Sequence, residues 1–477
     1  MFIRRVTGNY ELSASVAGAE STPAASAPAA STPAAHTPSA RTPAARIRFC
    51  GSDGSVSVYL EIDGQGFRVA RQDGEVRTVL KKHPGGGPPP WEIRVLKKGN
   101  FFRFEVNGKT GWIRGPSGEW DGRYDPWENE LALEVTGGCE IDSCTVTKLP
   151  WLDQQTEPVI ARGPAGSHYE KQIIPGAILE FDHRFYMYCM AGMEGDQEGS
   201  SRRTVAVAES DDLRSWEVHP VPVLSYVDAP GDNVYVNGAV TAPDGRIVLM
   251  YAVQQYPSWL GFMMASADDP KGPFTPYSRN PVYRHFNDAA HEFDLLRVDH
   301  PGFRYVMCYA GYTPRPSGGW PGGDRGYLLF SDNLVDWREA EHNPVFGPEG
   351  LDDWDAVHVR PRSLNRIGDT WYLWYEGCNA WTPPGASGSE RWCDSVGLAR
   401  STDLKNWSYY PRNPALPALG IGTERFDHTW TGWPRMVVKD GLGYVFYTGN
   451  AQVGLRTIPI RRLVDWDGEG GEMVRIV

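Results

Sequence analysis

Long apolar runs, basic tracts and helical periodicity are what this 477-residue sequence lacks. No stretch approaches the roughly 18 apolar residues that a membrane-spanning helix needs. With 47 Lys and Arg against 59 Asp and Glu, the net charge is −12, and no cluster of positive residues stands out. The phosphate-neutralising surface of a nucleic-acid binder is therefore not indicated. Seven cysteines is an odd number, so a closed disulfide framework is excluded. Cys189 and Cys308 sit in apolar, strand-like runs and read as core thiols, whereas Cys139/Cys144 and Cys378/Cys393 could each staple a loop in an oxidising compartment. Neither pair has the Cys-x-x-Cys spacing of a zinc site. The opening Met1-Phe-Ile-Arg-Arg-Val-Thr-Gly-Asn-Tyr10 lacks the apolar core of a signal peptide. As written, the chain reads as not exported.

What the sequence does have points one way. Charged residues at 22% and hydrophobic ones at 41% describe a globular chain, long enough for two or three domains. The 18 Trp, 22 Tyr, 53 Gly and 38 Pro suit aromatic strands joined by tight turns better than long helices. An all-β protein is expected.

From Ala17 to Arg46 the composition collapses to Ala, Pro, Ser and Thr, and Thr-Pro-Ala-Ala recurs at 22, 32 and 42. Such a segment is extended and buries nothing. Between Ile47 and Leu149 short alternating strands return, among them Val56–Ile62, Trp91–Val95 and Phe101–Val106, with turn signals at Asp63-Gly64 and Asn107-Gly108. Residues 1–150 therefore read as a β-sandwich interrupted by a low-complexity loop at 17–46. The progression Trp91-Glu-Ile-Arg-Val, Phe102-Arg-Phe-Glu-Val-Asn-Gly108 and Asp142-Ser-Cys-Thr-Val146 resembles the concanavalin-like jelly rolls appended to carbohydrate enzymes, and Gly8-Asn-Tyr-Glu-Leu-Ser-Ala-Ser-Val16 matches their early strand. That resemblance implies a further strand ahead of Met1, and a secreted or periplasmic protein if a leader precedes it.

After Trp151 one pattern returns: Ser210-Asp-Asp-Leu-Arg-Ser-Trp216, Ala267-Asp-Asp-Pro-Lys-Gly-Pro-Phe274, Ser331-Asp-Asn-Leu-Val-Asp-Trp337, Ser401-Thr-Asp-Leu-Lys-Asn-Trp407 and the eroded Arg462-Leu-Val-Asp-Trp466. Three copies continue into Asn280-Pro281, Asn343-Pro344 and Asn413-Pro414, and each follows an aromatic strand such as Phe185–Tyr188 or Trp371–Tyr375. Five units of several strands each over residues 155–477 predict a five-bladed β-propeller. These residues resemble the five-bladed glycosidase superfamily that includes glycoside hydrolase families 32, 43, 62, 68, 117 and 130. The resemblance implies cleavage of glycosidic bonds in plant or algal oligo- or polysaccharides, with furanosides or xylosides favoured.

In a propeller the innermost strand of each blade lines the channel, so carboxylates where those strands begin converge. Glu170, Asp232, Glu292, Asp294, Asp355 and Asp427 hold such positions. Glycoside hydrolysis needs one protonated acid and one ionised carboxylate, which neighbouring carboxyls supply by separating their pKa values. The resemblance makes Glu292 the general acid, with Asp294 orienting it. Where related families carry Asp before Pro this chain has Ile174, and where they carry a second-blade Asp it has Asn237. Glu170 is then the substitute base or nucleophile, with Asp232, Asp355 and Asp427 as rivals. Trp259, Trp320, Trp381 and Trp392 are placed for stacking on sugar rings. His168, His291, His358 and His428 could bind hydroxyls or hold a structural channel cation, although no cofactor is required. Arg360, Arg362 and Arg435 could pair with those carboxylates or receive a carboxylated sugar or phosphate. A non-catalytic carbohydrate-binding protein and a phosphorylase or transferase on the same fold are the alternatives. The expected partner is a carbohydrate, not nucleic acid or a membrane.

Overall fold

The structure, a computed structural model, describes residues 2–7, 10–18, 44–50, 56–84, 87–98, 101–114, 128–149, 157–192, 203–225, 233–255, 258–286, 290–313, 323–350, 353–378, 395–417, 426–427, 431–465 and 473–475. Its elements are strands apart from the short helix Ile460–Val464, as the aromatic, turn-rich composition predicts. No helix is long and apolar enough to cross a membrane.

Two six-stranded antiparallel sheets come first. Inward residues of one, including Ile47, Phe49, Val58 and Leu60, share a core with Leu12, Ile93, Val95, Phe102 and Phe104 of the other. The strands Tyr10–Ala17 and Ala44–Cys50 lie in different sheets, so the Thr-Pro-Ala-Ala segment falls between the two layers in sequence. The chain end departs from expectation: Met473–Arg475 pairs with Glu140–Lys148 and joins a sheet of this first unit. The cysteines differ too. Cys139 and Cys144 are buried free thiols, as are Cys189 and Cys308; Cys378 is buried, and Cys393 lies outside the described residues. Both Cys139 and Cys144 pack into the first core; burial pushes the Cys144 thiol up to about 11.

Five sheets follow, four of four strands and one of three, each ordered as its strands occur in the chain. Their first strands are Gln172–Phe181, Asn233–Thr241, Ala290–His300, His358–Ile367 and Thr431–Lys439. These contact one another in cyclic order, the fifth returning to the first. A second set of contacts follows the same circle. Third-strand residues Val205, Phe262, Gly326 and Val396 form bridges to Leu224, Tyr283, Phe346 and Leu416, and Val453 forms its bridge to Ile160, from the start of the unit.

The repeat owes its residues to two local devices. Ser210 Oγ accepts the Leu213 N–H at 2.9 Å, and Asp212 Oδ1 accepts the N–H groups of Arg214 and Ser215 at 2.8 and 2.7 Å. Leu213, Leu334 and Leu404 all take positive φ, 62°, 67° and 60°. That conformation costs roughly 1–2 kcal/mol, offset by ~1.5–3 kcal/mol from burying the side chain. Secondly, Asn280, Asn343 and Asn413 each precede a cis proline, and each amide pairs with both backbone groups of Met264, Leu328 or Leu398 at 2.9–3.0 Å. The fifth copy has no such Asn, and its chain turns into the short helix instead.

Candidate active site

Register decides where side chains converge. In every sheet the first strand slips against the second: between Pro175 and Ala177, Val236 and Gly238, His291 and Phe293, Pro361 and Ser363, and Gly432 and Arg435. The residues that the register skips are Gly176, Asn237, Glu292, Arg362 and Trp433 with Pro434. A bulge bends its strand and re-aims the extra side chain, so five bulges at matching places define one level of the ring. Gly176 is required there because a Cβ would lie 2.3 Å from the Val236 carbonyl oxygen. Glu292 and Trp433 adopt φ of 30° and 53°, a strained conformation for such side chains that is characteristic of functional sites.

Glu292 is 7% exposed. Its Oε2 lies 2.9 Å from Arg362 Nη2 and 3.7 Å from Arg360 Nε. Arg362 also meets Glu376 Oε2 at 2.8 Å, and its guanidinium lies 3.6 Å over the Trp433 ring. Arg360 reaches Glu376 Oε1 at 3.0 Å and Asp324 Oδ2 at 2.7 Å; His358 Nδ1 is 3.0 Å from that same Asp324 oxygen. Trp433 donates its backbone N–H to Glu376 Oε2 at 3.1 Å. Beside it stand Tyr235, stacked at 6.3 Å, and Trp259, tilted against Tyr235 at 4.9 Å.

A second level ties the ring together. Arg435 donates to Asn237 Oδ1 at 2.8 Å, to the Phe293 carbonyl at 3.0 Å and to Asp294 Oδ1 at 3.3 Å, and Asp294 Oδ2 accepts the Leu364 N–H at 2.7 Å. Four of the five sheets are joined by these bonds. Burial raises the Asp294 carboxyl above its ordinary value, against the pull of Arg435. It also brings Arg435 down to about 10. Among the described residues no group of three or more His, Cys, Asp or Glu is placed to hold a metal ion.

No family model and no curated protein matches the chain. Solved structures do. A glycosyl hydrolase from Bacteroides ovatus is similar with a TM-score of 0.51 at 13% identity, over 66% of this chain and 94% of that one. A structure titled "The GH130 family of mannoside phosphorylases contains glycoside hydrolases that target beta-1,2 mannosidic linkages in Candida mannan" gives 0.50 at 14% identity, over 64% and 92%. The chain shares the fold of glycoside hydrolases.

Within this fold, the expected site residues divide. Glu292, Asp294, His358, Arg360, Arg435 and Trp259 belong to the network just described, Trp259 from the strand Ser258–Ala267. His291 lies on the same strand as Glu292, paired with Ala310. Asp355 and Asp427 are elsewhere. Fully or almost fully buried, they accept hydrogen bonds from Tyr375 at 3.0 Å and Tyr447 at 2.7 Å within their own sheets. Glu170 turns back on the loop before the first sheet and accepts the Gly166 N–H. His168 is packed on Tyr169, its imidazole shifted down by burial and by His219. Asp232, Trp320, Trp381, Trp392 and His428 lie outside the described residues. The bulge level is consequently not the expected acidic ring: it carries a single carboxylate beside Asn237, Arg362 and Trp433. Asp324, Glu376, Tyr235 and Trp433 were not anticipated. Glu376 follows the aromatic run Trp371–Tyr375 within the strand Thr370–Cys378, and a charge directly after that run was the available signal.

Proposed function

We propose that the chain is a glycoside hydrolase built on a five-bladed β-propeller, with a concanavalin-like sandwich in front of it. The observation that carries this reading is Glu292, strained on a channel-level bulge, next to the aromatic wall of Trp433, Tyr235 and Trp259. A sugar ring lies with its C–H face on that wall, and polar groups around it take the hydroxyls. Furanosides and xylosides remain the favoured substrates from the family resemblance.

The environments support the reverse of the carboxyl roles expected from sequence. Two guanidiniums beside Glu292 stabilise its ionised form, which suits a base or nucleophile. Asp294, two residues on, is shifted towards its protonated form by burial, which suits the acid that protonates the leaving oxygen. Phosphorolysis is less well supported, because Arg360, Arg362 and Arg435 are each already engaged by carboxylates.

Release of sugar from arabinan, fructan and xylan oligosaccharides and from aryl glycosides tests the reading. Glu292→Gln is expected to slow every substrate. Asp294→Asn is expected to slow poor leaving groups by about 10²–10⁴-fold while sparing activated aryl glycosides. A folded wild type that binds sugars without turnover would replace the hydrolase with a binding protein, and turnover that requires phosphate would replace it with a phosphorylase.

A further inference from the structure

The arginines around Glu292 have counter-charges; among the described residues, Arg203 beside Tyr235 has none. Arg203 precedes the strand Thr204–Ser210 of the first sheet and forms a bridge to Asn233, which opens the first strand of the second. Its guanidinium carbon lies 4.6 Å from the centre of the Tyr235 ring. Its Nε is buried with no hydrogen-bond partner, and among the described residues no carboxylate pairs with it. Tyr235 stacks on Trp433, and Arg362, which holds Glu292 at 2.9 Å, lies over that Trp433 ring, so this cation and the proposed reacting carboxylate stand along one aromatic wall. Trp259 and Trp433 flank the Tyr235 ring.

A partly buried guanidinium without a counter-ion is costly unless a ligand supplies the charge. The adjoining surface is aromatic and suits a sugar face, so an anion that reaches Arg203 while the sugar occupies this wall is one carried by the sugar itself. We infer that Arg203, seated on Tyr235, receives the carboxylate of a sugar-acid residue, making the substrate an anionic saccharide. The planar guanidinium fork matches a planar carboxylate in two parallel hydrogen bonds, which a lysine does not reproduce. This rests on the sugar site proposed above. Free phosphate shares the oxyanion chemistry, and the test separates it.

Titration calorimetry of the full chain would compare methyl galacturonoside and methyl glucuronoside with methyl galactoside and methyl glucoside, and with inorganic phosphate. The uronosides are expected to bind about ten- to a hundred-fold more tightly than their neutral counterparts. Arg203→Met should remove that margin and leave neutral-sugar affinity unchanged, and Arg203→Lys should restore part of it. In the wild type the margin should shrink with added salt, a readout that needs no variant. Equal affinity for charged and neutral sugars, or a margin indifferent to Arg203 and salt, overturns the inference, as does Arg203-dependent binding of phosphate alone. The two readings fail separately. Arg203-dependent uronoside binding without turnover removes the hydrolase and keeps the subsite; turnover of glycosides with a uronoside margin that Arg203→Met leaves unchanged does the opposite.

Discussion

Asp355 is a carboxyl buried among its own kind. Burial comes first, then Asp353 and Glu349, in raising it well above the ordinary aspartate value, against the hydrogen bonds from Tyr375 and the Glu349 N–H. The sign of the pH effect follows directly. A carboxyl raised in the folded state holds its proton more tightly than the unfolded chain does, so its contribution to stability is greatest below the unfolded carboxyl range. That contribution is lost as pH rises towards the raised folded value. Asp355→Asn cannot ionise and still offers an oxygen to Tyr375. It is expected to gain on the order of 1 kcal/mol over wild type near pH 7.5, with no gain near pH 4, in urea unfolding at both pH values. It should also leave the proposed glycoside hydrolysis unchanged, since its hydrogen bonds run to Tyr375 and Glu349 and not to Glu292. An activity loss with unchanged stability would return Asp355 to the channel.

Among the elements, the Asn-Pro corner behaves as a strand substitute: one amide side chain completes the edge of a four-stranded sheet where the backbone itself has turned away. Asn343→Ala leaves the N–H and C=O of Leu328 without these two bonds of 2.9 Å. A loss of about 1–3 kcal/mol is expected, seen as a lower urea midpoint at constant m-value; an unchanged midpoint would make the amide dispensable. This corner and the Ser-x-Asp-Leu turn were legible in the sequence, because both are local and write their residues at fixed spacing. The five aromatic second strands were legible for the same reason. The bulges were not. Whether Ile174 or Gly176 meets the ring level depends on how Gln172–Phe181 registers against its neighbour, which no single strand records. Asp324 and Glu376 escaped notice similarly. They sit on the third strand of one sheet and the second of the next, and only the sheet arrangement brings both to Arg360. The repeat Asp355 and Asp427 misled in the other direction, since their similarity reflects a shared Tyr–Asp bond within each sheet.

On the scale of the whole molecule, the sandwich and the five-sheet ring meet through buried charge. Arg103 of the sandwich lies 2.9 Å from Glu349 and 2.7 Å from Asp353. Glu11 takes Arg412 at 2.9 Å. Lys98 donates to the Pro414 carbonyl at 2.8 Å, with burial pulling its ammonium far below the usual lysine range, and Phe101 packs into a core it shares with Trp354 and Tyr375. The strand Met473–Arg475 returns from beyond the ring to the sandwich sheet. Opening such an interface breaks these ion pairs and hydrogen bonds and exposes the apolar core around Phe101, so the two units are expected to unfold together. Removing one partner of a buried ion pair typically costs 3–5 kcal/mol, and Arg103→Ala, which leaves Asp353 and Glu349 facing each other beside Asp355, is expected to cost about that much. Adding Asp353→Asn relieves part of the uncompensated charge, so the double variant should lose less than the sum of the two single ones. Scanning calorimetry would show one transition moving to lower temperature in Arg103→Ala. Two separate transitions, with only the sandwich shifted or neither moved, would instead mean that the ring holds its shape alone and that the ionic seam joins two independently stable bodies.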